Sequence, residues 1–181
     1  MSEKEKLIRL IKERALKVAD EPIFKLSSGK MSPYYIDLKQ ITFDPEGVYL
    51  VGKVMYELVR GFRPDACGGL TLGADPIAYA ITFISLMDGS PIKPFVVRKE
   101  PKSHGMGRQI EGLLKGNERV AILEDVVTTG SSALKAIKAC RDYGLEVIGV
   151  FAVVDREEGG KENLEKEGIP LYSLFKLSEL L

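Results

Sequence analysis

Apolar side chains in the first stretch of the chain fall at Leu7, Leu10, Ile11, Ala15 and Val18, with Lys, Glu and Arg between them. That spacing marks one face of a helix with a period of about 3.6 and predicts an amphipathic helix over residues 3–19. Residues 23–38 (IFKLSSGKMSPYYIDL) carry two short apolar runs around Ser27-Ser28-Gly29-Lys30, the pattern of a β-hairpin or of paired extended strands. Asp44-Pro45 is a helix start signal, and Val48, Leu50, Val51, Val54, Met55, Leu58 and Val59 continue the helix to Gly61. Asp75-Pro76 repeats that signal, with Asp75 as the expected cap, for a mostly apolar helix over 77–87. Between and after these lie apolar runs at 66–70, 94–99, 119–123, 147–154 and 171–175, and a further helix over 133–143 is stopped by Gly144. Strands that are apolar on both faces and alternate with helices predict an α/β fold, a parallel sheet covered on both sides with right-handed crossovers.

The length of 181 residues fits one domain over 1–181, and no repeat, low-complexity tract or linker divides it. Apolar residues make up 45% and charged residues 29%, which excludes collagen-like and disordered chains. Lys plus Arg and Asp plus Glu are balanced at 26 each, and no basic run reaches about five residues, so a nucleic-acid partner is not expected. Any anionic ligand must then be met by a local cluster. Cys67 and Cys140 are far apart and outside any CxxC pair, which argues against a zinc site or a disulfide framework. The charged N-terminus has no apolar targeting core, and the longest apolar run, 147–154, is far short of the roughly 20 residues of a membrane span. A cytoplasmic chain with no membrane partner is the expectation.

In open parallel sheets, ligands bind beyond the carboxyl ends of the strands. Four such places carry polar chemistry: 70–75, 98–108, 124–132 and Asp155-Arg156. The most informative is VAILEDVVTTGSSALKAI, where an apolar strand runs into Glu124 and Asp125, then through Val126 and Val127 to Thr128, Thr129, Gly130, Ser131, Ser132 and a helix. Hydroxyls, a glycine and free N–H groups at a helix start cradle an anion, most often phosphate. No GxxxxGK[ST] loop is present. Two carboxylates beside an anion site are unfavourable unless a ligand uses both features, and a sugar phosphate does: carboxylates take the diol, and the loop takes the phosphate.

VAILEDVVTTGSS resembles the phosphoribosyl-diphosphate signature of the type I phosphoribosyltransferases. VVRKEPKSHGMGRQIEG, SGKMSPYYID and Asp155-Arg156 extend the resemblance to the orotate phosphoribosyltransferase family. The resemblance implies a Rossmann-like core with a small hood made by the N-terminal helix and hairpin. It implies Glu124 and Asp125 on the ribose hydroxyls, Thr128 to Ser132 holding the 5′-phosphate with Thr128 also near the base, Val126 and Val127 among the substrate-binding residues, and Arg156 facing orotate. It further implies Mg²⁺ held chiefly by diphosphate and ribose rather than by protein ligands, and a homodimer in which the lid's Lys102 and His104 reach the neighbouring site. Lys102, His104 and Asp125 are the implied catalytic residues. Where many members carry Tyr-Lys this chain has Leu72-Gly73, and Ser27 stands where many carry a hairpin lysine, with Lys25 nearby.

Chemistry supports the lid independently. Diphosphate leaves well only when its growing charge is neutralised, and Arg98, Lys99, Lys102 and the only histidine, His104, are concentrated after one strand in a glycine-punctuated, polar stretch. A hydrolase built on His104 with Ser103 or Asp125 lacks a GxSxG elbow. The alternatives are a purine or xanthine phosphoribosyltransferase, against which Arg156 argues as a cation for orotate's carboxylate, and a non-catalytic sensor of phosphoribosyl diphosphate, against which the basic lid argues.

Overall fold

The computed structural model describes residues 1–26, 29–101 and 109–181. Helix α1 (Glu3–Leu10) starts at a capping box in which Ser2 Oγ accepts from Glu5 N and Glu5 accepts from Ser2 N. The helix ends earlier than its periodicity predicts. It widens into a π-helical turn over Ile11–Ala15, and Leu16 turns extended to open β1 (Leu16–Val18). Leu7, Leu10, Ile11 and Ala15 are buried as expected, but Val18 is 60% exposed. Pairing with a later strand wins over helix continuation here, and β-branched Val18 favours the extended form.

Strands β2 (Phe24–Lys25) and β3 (Met31–Ser32) make an antiparallel hairpin. Its turn residues Ser27 and Ser28 lie outside the described residues. Beyond Pro33 the chain leaves this hairpin: β4 (Tyr34–Ile36) pairs antiparallel with β1, in the register Leu16↔Ile36. Helices α2 (Lys39–Thr42) and α3 (Pro45–Val59) follow, the latter with Asp44 accepting from Gly47 N at 2.8 Å and proline in the first turn, as expected.

The remaining elements form the core: β5 (Ala66–Leu70), α4 (Asp75–Met87), β6 (Lys93–Val97), β7 (Ile110–Gly112), β8 (Arg119–Val127), α5 (Ser131–Asp142), β9 (Glu146–Asp155), α6 (Gly160–Lys166), β10 (Leu171–Lys176) and α7 (Leu177–Leu180). They build a six-stranded sheet in the order β10-β9-β8-β5-β6-β7. All neighbours are parallel except β6 and β7. β7 is too short and too polar to show a period, so the sequence gives no sign of it. On one face Ala121 and Leu123 pack with Leu7, Val51, Ile77 and Ile81 of α1, α3 and α4. On the other, Val120 and Ile122 pack with Ala133, Ala136 and Ile137 of α5 and with Leu164 of α6. The N-terminal segment thus shares the core of the first face.

Two expectations change. Asp75 does not cap α4: Ala74 holds the cap position, and Asp75 Oδ2 accepts from Thr71 Oγ1 at 2.6 Å. β8 runs to Val127 rather than stopping at Leu123, because its last residues pair with β9 from Glu124↔Ala152 to Val127↔Asp155. The acidic pair therefore belongs to the strand.

The sheet reverses direction of growth between β5 and β8. Their register is set at the opposite end by a reciprocal pair: Asp65 N donates to Arg119 O at 2.8 Å, and Arg119 N to Asp65 Oδ2 at 2.8 Å. Pairing proceeds to Gly68↔Ile122 and stops. At that switch point the carboxyl ends of the two strands flank a crevice. Among the described residues no helix is long and apolar enough to cross a membrane.

Candidate active site

Glu124 and Asp125 line the crevice where β8 has lost its β5 partner. Glu124 is 6% exposed, and its Oε1 is buried without a hydrogen-bond partner among the described residues. Burial, reinforced by the neighbouring Asp125 charge, pushes the Glu124 carboxyl up to about 8. Asp125 is also raised by burial, an effect opposed by the Val126 N–H that donates to its Oδ1 at 2.8 Å and by the charge of Lys39. Lys39 pairs with Asp37 at 3.0 Å, so the segment after β4 brings a cation and an anion to bear on Asp125. Neither residue stands out in the sequence.

A strand that buries a carboxylate with an unsatisfied oxygen at its carboxyl end holds a strong acceptor ready for hydroxyl donors. The loop that carries Leu72-Gly73 lies against Asp125. A Cβ on Gly73 would stand 2.7 Å from Asp125 Oδ1, so any larger residue here requires the Asp125 carboxylate to shift. Thr71 N donates to Val97 O at 2.9 Å, which ties this loop to β6; the Thr71–Leu72 peptide is cis.

Beyond Val127 the chain passes through Thr128 and Thr129 to Gly130, whose φ of 81° is left-handed, and enters α5 at Ser131 and Ser132. No side chain caps α5, which leaves its first N–H groups directed out of the helix start. Helix α6 braces the loop: Asn163 Nδ2 donates to Thr129 O at 2.9 Å. A Cβ on Gly160 would lie 2.4 Å from Val127 Cγ1 and 2.7 Å from Thr128 O. The Gly159-Gly160 doublet was the one sequence signal for this approach.

Arg98 and Lys99 follow β6. Arg98 N donates to Gln109 O at 2.8 Å, Gln109 Nε2 donates to Arg98 O at 3.1 Å, and Arg98 Nη1 lies 3.5 Å from Glu111. The two stems of the basic stretch are thereby held together at the β6–β7 edge. Lys102 and His104 lie outside the described residues. Arg156, expected to face orotate, is buried just after β9, where its guanidinium pairs with Glu158 at 2.8 Å and donates to Ser32 Oγ and Tyr34 O. Tyr34 packs against the core, while Tyr35 is half-exposed and stacks on Phe24 with 5.8 Å between ring centroids.

A parallel sheet whose switch-point crevice joins an acidic pair to a hydroxyl-glycine loop is the layout of the type I phosphoribosyltransferase fold. The chain matches no family model. It is 84% identical over 181 residues, covering 100% of the chain and 99% of the relative, to an orotate phosphoribosyltransferase of Aquifex aeolicus. Among solved structures it is similar to Mycobacterium tuberculosis orotate phosphoribosyltransferase in complex with Fe(III) dicitrate, at 41% identity, 99% coverage of both chains and a TM-score of 0.85. The same mycobacterial protein in complex with 5-phospho-α-D-ribosyl 1-diphosphate gives 38% identity, 99% coverage of both chains and a TM-score of 0.79. The chain belongs to the orotate phosphoribosyltransferase family.

Proposed function

We propose that this enzyme transfers the 5-phosphoribosyl group of 5-phospho-α-D-ribose 1-diphosphate to orotate, giving orotidine 5′-phosphate and diphosphate for pyrimidine (UMP) synthesis. The observation that carries this reading is the buried, unpartnered Glu124 Oε1 beside Asp125, opposite the uncapped start of α5. Glu124 and Asp125 accept the 2′- and 3′-hydroxyls of the ribose, and Thr128 to Ser132 hold the 5′-phosphate on backbone N–H and hydroxyl groups. As the C1–O bond lengthens, the ring gains positive charge beside these carboxylates while N1 of orotate approaches from the opposite face. No covalent intermediate with the protein is required, so positioning and fixed charges supply the catalysis.

Arg98, Lys99, Lys102 and His104 are assigned to the departing diphosphate, and loop 71–74 to its backbone contacts. Mg²⁺ would be carried chiefly on diphosphate and ribose oxygens, the hard oxygen donors it prefers. When bound it neutralises leaving-group charge. The residues of this chain orient the hydroxyls that the ion shares.

A homodimer is supported by an apolar face on α3 and α4. Tyr49, Tyr79 and Phe83 are 51%, 49% and 65% exposed there, around a shallow hollow lined also by Val48, Pro76 and Ala80. A second copy of the chain is the fitting occupant. A cytoplasmic setting agrees with two free, buried cysteines whose thiols burial pushes up to about 12.

The test is loss of orotate absorbance with donor and Mg²⁺, beside parallel assays with purines: turnover of orotate is expected, and turnover of a purine alone overturns the assignment. Lys102→Ala mixed with Asp125→Ala, each inactive alone, is expected to restore about one quarter of activity, since roughly half of random dimers then hold one intact site. An inactive mixture with verified subunit exchange refutes sharing of the lid.

A further inference from the structure

Asp75 does little for the helix it opens. Ala74 holds the cap position of α4, and the Asp75 carboxylate instead accepts from Thr71, whose Oγ1 donates to Oδ2 at 2.6 Å. Its Oδ1 is buried without a hydrogen-bond partner among the described residues, and burial raises the carboxyl against the opposing pull of the Thr71 hydroxyl. A buried acceptor left incomplete costs stability, so strengthening the start of α4 does not account for this acid. What the pair does is close a ring. Asp75 N donates to Leu72 O at 3.2 Å, and Thr71 N donates to Val97 O at 2.9 Å, immediately ahead of Arg98 and Lys99. Within that ring the N–H groups of Leu72, Gly73 and Ala74 meet no acceptor among the described residues. Successive free N–H groups in a turn make a concavity for an anion.

We propose that Thr71 and Asp75 are positioning residues whose side-chain bond clamps loop 71–75, so that its free N–H groups are fixed for the leaving diphosphate before the donor arrives. The proposal deepens the orotate reading and rests on its assignment of this loop to diphosphate. Thr71 carries two constraints at once: its N–H ties the loop to the last residue of β6, and its hydroxyl ties the two ends of the loop together. At 2.6 Å that second bond has the length expected of a hydroxyl on an ionised carboxylate, the stronger kind of hydrogen bond. Backbone donors bind an anion well only when they are held in place beforehand, since ordering them on binding is subtracted from the affinity. Asp75 itself has the wrong sign of charge to touch diphosphate, so its part is that of an acceptor for Thr71.

Calorimetric titration of the whole protein with inorganic diphosphate and Mg²⁺ reads the clamp without turnover. Thr71→Val and Asp75→Ala are each expected to weaken diphosphate binding about tenfold, the loss of a hydrogen bond to a charged group. Binding of orotidine 5′-phosphate, which lacks the diphosphate and uses residues 128–132, is expected to stay at the wild-type level in both. The double variant is expected to bind diphosphate no more weakly than either single one, since both remove the same bond; a further loss of about tenfold shows two independent effects and overturns the clamp. Thr71→Ser keeps the hydroxyl and Asp75→Asn keeps an acceptor, so both are expected to bind diphosphate close to wild type. Wild-type affinity in Thr71→Val overturns the clamp, and so does a loss in Asp75→Asn as large as that in Asp75→Ala, which would make the charge itself a ligand contact. Equal loss of diphosphate and orotidine 5′-phosphate overturns it as well, as the mark of a merely structural bond. A wild type that binds diphosphate yet converts only purines refutes the orotate reading, and the diphosphate titrations still decide the clamp.

Discussion

Two buried glutamates of nearly equal exposure and opposite character stand at the two ends of β8, one just before it and one within it. Glu118, just before its first residue, is 5% exposed and accepts from Lys115 N, Gly116 N and Asn117 N, with Lys93 at 3.5 Å. Those backbone donors, Lys115 N foremost, hold its carboxyl down at about 2. Glu124, near the last residues, is 6% exposed and has an oxygen with no partner, and burial lifts its carboxyl to about 8. Exposure alone therefore says nothing about the role of a buried acid; the accounting of its hydrogen bonds does. Glu118 is complete within the fold and contributes stability, whereas Glu124 is incomplete until hydroxyl donors arrive.

The sharpest break in that contrast is Glu124→Gln. Turnover is expected to fall by about 10²–10³ through loss of an acceptor facing the reacting sugar. Stability moves the other way at alkaline pH. Because folding raises the carboxyl from 4.5 to about 8, its favourable contribution is full below 4.5 and is lost as pH rises through about 8. The variant's Tm is therefore expected to fall less than wild type between pH 5 and 9; parallel slopes would refute the orphaned-acid account. Gly73→Ala tests the neighbour rather than the acid. Its methyl must displace Asp125, and a shift of that kind is expected to cost about tenfold or more in kcat/KM for the donor with little change in Tm. Glu118→Gln completes the comparison: Tm is expected to drop at pH 7, while turnover per folded molecule stays near wild type. Folding lowers this carboxyl, so the Glu118 contribution is present above 4.5 and lost as pH falls through about 2, and the two proteins should converge in acid.

What the sequence shows and hides follows the same line. The parallel strands are legible because both faces are buried and the apolar runs are unbroken. The acidic pair and the hydroxyl loop are legible because they are contiguous and their chemistry is unusual at a strand end. The extension of β8 through Glu124 and Asp125 is hidden, since polar residues end an apolar run even when β9 continues to pair with them. The early end of α1 is hidden because Ala15 and Val18 satisfy a helical period while β4 supplies a competing partner. Gly73 against Asp125, and Ser32 and Tyr34 against Arg156, are contacts across long separations, and no local pattern records them.

The Asp65–Arg119 exchange sits at the far end of the sheet from any substrate, yet it decides what the crevice contains. Side chains along a strand alternate, so displacing β8 by one position would turn Glu124 and Asp125 to each other's faces. With the strand's entry clamped, an added or deleted residue between β7 and Lys115 is absorbed in the connecting loop instead of being transmitted to the carboxylates. Evolution or an engineer can vary that connection ahead of the turn that closes on Glu118, but not Asp65.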